Sequence, residues 1–140
     1  MSYWGRRAAG LLIRSPYGRY LLLLRSAYVY DPGVWGLPGG RVEDNEDPQD
    51  AAVRETEEEI GVQSLRVYTK PISIWHAPDA NFEYHTFLAL SLSGEFVPVL
   101  NWENDGYVWT TENEILSGRI EGRWVHPGVV RSVRALKNPA

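Results

Sequence analysis

The chain has 140 residues, with 14 lysines and arginines against 18 aspartates and glutamates, for a formal charge of −4. That length predicts one domain, residues 1–140, able to bury a core without cross-links. The absence of cysteine excludes disulfides, thiolate metal sites and cysteine nucleophiles, and the mild acidity argues against a general nucleic-acid-binding surface.

The opening MSYWGRRAAG carries an apolar run too short for a signal peptide, and no later stretch is apolar enough to span a bilayer. A cytoplasmic protein with no membrane partner is expected. Arg7 to Arg14 and Arg19 to Arg25 read as two strands joined by a turn at Ser15-Pro16-Tyr17-Gly18. The run Tyr20 to Leu24 is continuously apolar, as in a strand covered on both faces. A loop over 26–33 carries Tyr28 and Tyr30, followed by a short strand near Trp35 and a turn at Pro38-Gly39-Gly40. Asp47 as N-cap and Pro48 at the first helical position start a helix that stops at Gly61. Leu65 to Trp75 and Phe82 to Leu92 read as paired strands around a loop containing Pro78 and Asp79. A strand near Tyr107 to Thr110 leads to a capping box formed by Thr111 and Glu114. His126-Pro127 opens a last helix with Val129, Val130, Val133 and Leu136 on one stripe. This mixture predicts an α/β fold, a mixed sheet with helices on both sides.

Charge is concentrated in one place. Half of the acidic residues lie between Glu43 and Glu59, leaving the rest of the chain net basic. At about 100° per residue, Glu55, Glu58 and Glu59 share one side of the helix, while Ala52, Val53, Thr56 and Ile60 form a core-facing stripe. Like charges at such spacing repel by a few tenths of a kcal/mol per pair. Arg54 is the only cation in the helix. The missing counter-charge is met either by solvent or by a divalent cation, since hard cations prefer carboxylate oxygens. Spacing alone leaves both open. Gly39 and Gly40 permit close backbone approach and positive φ beside the helix, which suits a loop that meets phosphate.

The segment GRVEDNEDPQDAAVRETEEEIGV, Gly40 to Val62, resembles the Nudix box. Its fixed positions are Gly40, Glu46, Arg54, Glu55, Glu58, Glu59, Gly61 and Val62. The departure is Thr56, where the pattern has a bulky aliphatic; its methyl can pack and its hydroxyl can bond back to the carbonyl of Ala52. The resemblance implies a Nudix-type α/β/α sandwich with a mixed β-sheet. It also implies a hydrolase that cleaves a nucleoside diphosphate linked to another moiety, giving a nucleoside monophosphate and a phosphorylated remainder. Glu55, Glu58 and Glu59 would bind Mg2+, with Mn2+ as a substitute, and one of them would act as base, with Gly40 beside them as a further metal contact. Bound metal would neutralise phosphate oxygens and lower the pKa of a water. Arg54 resembles the family arginine that orients the glutamates, through Glu46 and a neighbour. Glu103 stands six residues before Trp109, as does a glutamate that joins the metal site in some members; a surface glutamate is the competing expectation.

Arg25, fifteen residues before Gly40, resembles arginines that contact phosphate or substrate in the family. Gly39, Gly40, Tyr28 and Tyr30 complete the expected substrate contacts, with core packing the alternative for the aromatic residues, Trp35 included. His76, His85 and His126 lack metal-ligand spacing and are expected to be structural. A nucleotide is the expected partner, no stable nucleic-acid complex is expected, and the residues leave a homodimer open. The absence of cysteine sets aside the isomerases that share this fold. A non-catalytic nucleotide-sensing or interaction module is the alternative, although such domains tend to lose the glutamates kept here. For substrate, Pro78 is weakly like ADP-ribose-cleaving members, and Asp31 stands where coenzyme A-cleaving members have arginine.

Overall fold

The computed structural model describes residues 6–78 and 81–138; Asp79, expected in a loop, and the first five residues lie outside them. The elements are β1 (Arg7–Arg14), β2 (Tyr20–Arg25), β3 (Trp35–Gly36), β4 (Gly39–Arg41), α1 (Pro48–Ile60), β5 (Leu65–His76), β6 (Glu83–Ser91), β7 (Asn104–Thr110), α2 (Glu112–Ser117), β8 (Arg119–Ile120), β9 (Arg123–Trp124) and α3 (Pro127–Lys137). Among the described residues they form a seven-stranded sheet ordered β3-β2-β1-β6-β5, with β4 on β1 and β7 on β2. β1 and β6 run parallel while the remaining pairs are antiparallel, so the sheet is mixed as expected.

Side chains alternate across a strand, and the central strands are apolar on both faces. Leu11, Ile13, Leu21, Leu23 and Phe87 pack with Ala51, Ala52 and Ile60 of α1. Leu12, Tyr20 and Leu22 pack on the opposite side with Ile115 of α2 and Val129 and Val133 of α3. Each fully buried leucine contributes ~2 kcal/mol of transfer free energy. This two-sided burial explains the unbroken run Tyr20 to Leu24.

Asp47 takes the N-cap position of α1 in extended backbone, but its side chain makes no capping bond; Pro48 supplies the first helical φ. The capping box of α2 is complete, with Thr111 Oγ1 accepting from the Glu114 amide at 3.2 Å and Glu114 Oε1 from the Thr111 amide at 3.1 Å. His126 caps α3, its Nδ1 accepting the Gly128 N–H at 3.0 Å. On that helix Val129 and Val133 are buried and Val130 and Leu136 half-buried.

Several expectations change. Pro38-Gly39-Gly40 is not a turn: Gly39 and Gly40 enter β4 with no positive φ, paired with Gly10 and Ala9 of β1. In α1 the core side is Ala51, Ala52, Thr56, Glu59 and Ile60, while Val53 is only half-buried. The hydroxyl of Thr56 does not bond to the carbonyl of Ala52; it is buried without any hydrogen-bond partner. An unmade buried hydroxyl bond costs about 1–3 kcal/mol. Thr56→Val, which keeps the shape and removes the hydroxyl, is therefore expected to raise Tm by about 3–5 °C. Thermal melting of the two proteins checks this, and a lower Tm for the variant contradicts it.

Candidate active site

α1 carries its carboxylates towards β4 and the start of β7, but not all of them into solvent. Glu59 is only 3% exposed. Its Oε1 accepts from Asn104 Nδ2 at 3.1 Å and its Oε2 from the Gly39 N–H at 2.8 Å. Burial pushes the Glu59 carboxyl up to about 8, against those two hydrogen bonds, which pull it down. Glu55 is raised as well, first by burial, with Arg54 opposing. The negative charge of Glu103 adds to both shifts, which places that half-buried side chain in the same cluster. Asn101 Nδ2 donates to Glu103 Oε1 at 3.1 Å, and the Ser26 N–H to the Glu103 carbonyl at 2.9 Å.

A carboxyl raised in the folded state favours folding while it is protonated. That contribution is complete below the ordinary value of 4.5 and is lost as pH rises through about 8. Metal-free protein is expected to melt at a lower temperature at about pH 8 than at about pH 5, a slope that Glu59→Gln flattens. A Tm that does not change over this range contradicts the buried placement of Glu59.

Arg54 is the organiser of the outer carboxylates. Its Nε and Nη2 hold Glu46 at 2.9 and 3.0 Å, and Nη1 reaches Glu55 at 2.9 Å and Glu58 at 3.3 Å. Nη2 also donates to the Arg41 carbonyl at 3.0 Å. The hydrogen bond from Arg54 holds Glu46 below the usual carboxylate range, and Glu46 in turn keeps Arg54 firmly cationic. This is a fork with several partners, not an isolated surface pair.

Gly40 explains why a glycine stands before the helix: a methyl there would lie 2.6 Å from Glu55 Oε2. Its lack of a side chain lets the β4 backbone sit against that carboxylate. The donor set of Glu55, Glu58, Glu59 and Glu103 beside the Gly40 backbone is all hard oxygen and fits a divalent cation such as Mg2+. Among the described residues no three acidic or imidazole groups already converge as a cage. Arg54 Nη1 bridges Glu55 and Glu58. The Glu58 side chain, 53% exposed, has room to turn away.

Beyond Gly39 a cavity of about 600 Å³ opens between the α3 side of the sheet and the start of α3. Arg25 and Tyr30 line it, and the Arg25 Nε donates to the Tyr30 carbonyl. Tyr28 does not: it is 81% exposed and stands outside the cavity. Trp35 is buried in the core, its Nε1 donating to the Ile120 carbonyl at 3.0 Å.

The cavity also gathers residues that sequence pattern did not single out. Trp75 and Phe82 meet edge-on at 6.4 Å, and the Arg131 guanidinium lies 4.8 Å from the Trp75 ring centre. Trp124, 61% exposed, lines the rim with Arg119 over its face at 4.6 Å. His126, expected to be structural, both caps α3 and lines the cavity. Burial lowers its pKa although Asp31 opposes this, so the ring is neutral near pH 7. Because Nδ1 accepts the Gly128 N–H, the proton sits on Nε2, which faces Asp31 Oδ2 at 3.7 Å. His76 and His85 both flank Glu83, away from this cluster. Trp124 arrives through β8 and β9, whose turn uses positive φ at Glu121 and Gly122. Glu-Gly is a weaker hairpin signal than Asn-Gly or Asp-Gly, and so this ribbon was not expected.

Residues 4–133 match the description NUDIX domain. A putative 8-oxo-dGTP diphosphatase 3 of Mycobacterium tuberculosis is 33% identical over 147 aligned positions, covering 98% of this chain. The chain spans only 64% of that relative's length. Among solved structures, the Nudix hydrolase RenU of M. smegmatis superposes with a TM-score of 0.76 at 30% identity, covering 96% of this chain and 86% of its own. An Ap4A hydrolase of C. elegans gives a TM-score of 0.72 at 27% identity, covering 93% and 95%. The match spans the carboxylate helix, the β4 glycines and the cavity together. The chain belongs to the NUDIX domain family.

Proposed function

We propose that the chain is a divalent-metal-dependent pyrophosphohydrolase that acts on a nucleoside triphosphate or a related nucleoside diphosphate derivative. The observation that carries this is the junction at Gly39, whose amide holds Glu59 while its other side lines the aromatic cavity. A nucleotide laid across that junction would place its base among Trp75, Phe82 and Trp124 and its diphosphate at the carboxylates. Aromatic faces suit any base, and Arg25 and Arg131 supply positive charge to the cavity. The relatives named for 8-oxo-dGTP bring oxidised purine triphosphates to the head of the candidates.

Glu55, Glu58, Glu59 and Glu103, with the Gly40 backbone, would hold Mg2+, and Mn2+ would substitute. A bound cation supplies charge neutralisation for the diphosphate oxygens and acidifies water. The chain's own part is to orient and to move a proton. Arg54 fixes Glu55 and Glu58 through its fork; one glutamate takes the proton of the attacking water as its oxygen bonds to phosphorus and the anhydride P–O bond breaks. Arg25 and the Gly39 side of the junction orient the nucleotide, and the cavity walls keep bulk water from its base.

A screen with Mg2+ over ordinary and oxidised nucleoside triphosphates, nucleotide sugars, dinucleoside polyphosphates and 5′-triphosphate RNA tests the proposal. Release of a nucleoside monophosphate from at least one class is expected. Nucleotide binding with no turnover of any class in Mg2+ or Mn2+ would favour a sensing module instead.

A further inference from the structure

Tyr84 of β6 opens into the cavity at the Gly39 junction. Its phenol oxygen occupies space that side chains on two other strands would take. A methyl at Gly39 would lie 2.7 Å from Tyr84 Oη, and one at Gly10 would come closer still. Gly10 and Gly39 are partners in the β1–β4 ladder, so the two strands together leave a seat for this one hydroxyl. The same Gly39 donates its N–H to Glu59 on its other side.

The ring packs with Ala8, Ala77 and Phe82. Its hydroxyl makes no hydrogen bond to any described group, yet it is not among the fully enclosed unpaired atoms. A donor of this kind has solvent or a ligand as its partner. Burial keeps the phenol protonated, with the charge of Glu59 adding to the effect and that of Arg25 opposing it. Glu59, Glu55 and Arg25 are thus all within electrostatic reach of one neutral donor.

We propose that Tyr84 is a substrate-contacting residue, its hydroxyl donating to an oxygen of the diphosphate where the nucleotide passes from the aromatic cavity to the carboxylates. This rests on the hydrolase reading for the kind of ligand, and on the Gly10–Gly39 seat for the residue. The competing role is pure packing, which Phe would serve as well as Tyr.

Tyr84→Phe keeps the ring and removes the donor. Binding of a nucleoside 5′-α,β-methylene diphosphate in Mg2+, read by the fluorescence of Trp75 and Trp124, separates the two roles without turnover. The variant is expected to bind the analogue about tenfold more weakly, as for a lost hydrogen bond to a charged group, with Tm and Mn2+ affinity unchanged. Wild-type affinity in Tyr84→Phe overturns the proposal, as does weaker binding accompanied by a lower Tm or weaker metal binding. A wild-type protein that binds the analogue but hydrolyses no substrate sinks the hydrolase reading, while the comparison of affinities still decides the role of Tyr84. Failure of the wild type to bind the analogue overturns both.

Discussion

Glu58→Gln is expected to lower kcat/KM by about 10³-fold while leaving Tm nearly unchanged. The asymmetry comes from the setting of the side chain. Glu58 is half exposed and holds one contact, the 3.3 Å approach of Arg54 Nη1. Exposed pairs of this kind contribute about 0–1 kcal/mol to stability, so glutamine there removes little that holds the fold. In the proposed mechanism it removes a charge that cation binding and proton transfer would both use. Glu59 offers no such clean separation, because both its oxygens are tied to Asn104 and Gly39 in the interior. Kinetics and melting on the same preparations check the pair of outcomes, and near-wild-type kcat/KM for Glu58→Gln contradicts a catalytic ridge.

Arg54→Lys is expected to weaken Mn2+ binding by about 10–100-fold and to reduce turnover with it, the range seen when residues that orient metal ligands are lost. Charge is kept in this variant, so a purely electrostatic role predicts almost no change. The geometry says otherwise. Three nitrogens of one planar fork reach Glu46, Glu55, Glu58 and the Arg41 carbonyl together. A lysine ammonium is a single point with three donors and cannot span that set. Titration with Mn2+ reads the effect directly, and unchanged affinity would show that the fork is incidental.

Much of this was legible in sequence because it is local. The Nudix box lies on one helix and its approach; α1 and the α2 capping box follow from residues a turn apart; the two-faced burial of β2 follows from an unbroken apolar run. What was hidden depends on distant pairings. Glu59 projects with the other glutamates, yet Asn104, 45 positions away, draws it inside. Pro38-Gly39-Gly40 has the composition of a turn, and only the ladder to Ala9 and Gly10 makes it a strand. The cavity is assembled from β2, β5, β6, β9 and the start of α3, so Trp75, Trp124 and Arg131 carry no shared sequence signal. Thr56 shows the reverse: its departure from the box pattern was visible, but its stranded hydroxyl was not, since the helix carbonyl expected to receive it does not.

The most direct test is turnover of a responsive nucleotide in Mg2+, then in excess chelator, then after Mg2+ is restored. Loss of activity in chelator and full recovery on readdition are predicted, with Glu58→Gln about 10³-fold below the wild type in Mg2+. Undiminished wild-type hydrolysis in excess chelator would contradict the central claim that these clustered carboxylates act by gripping a divalent cation.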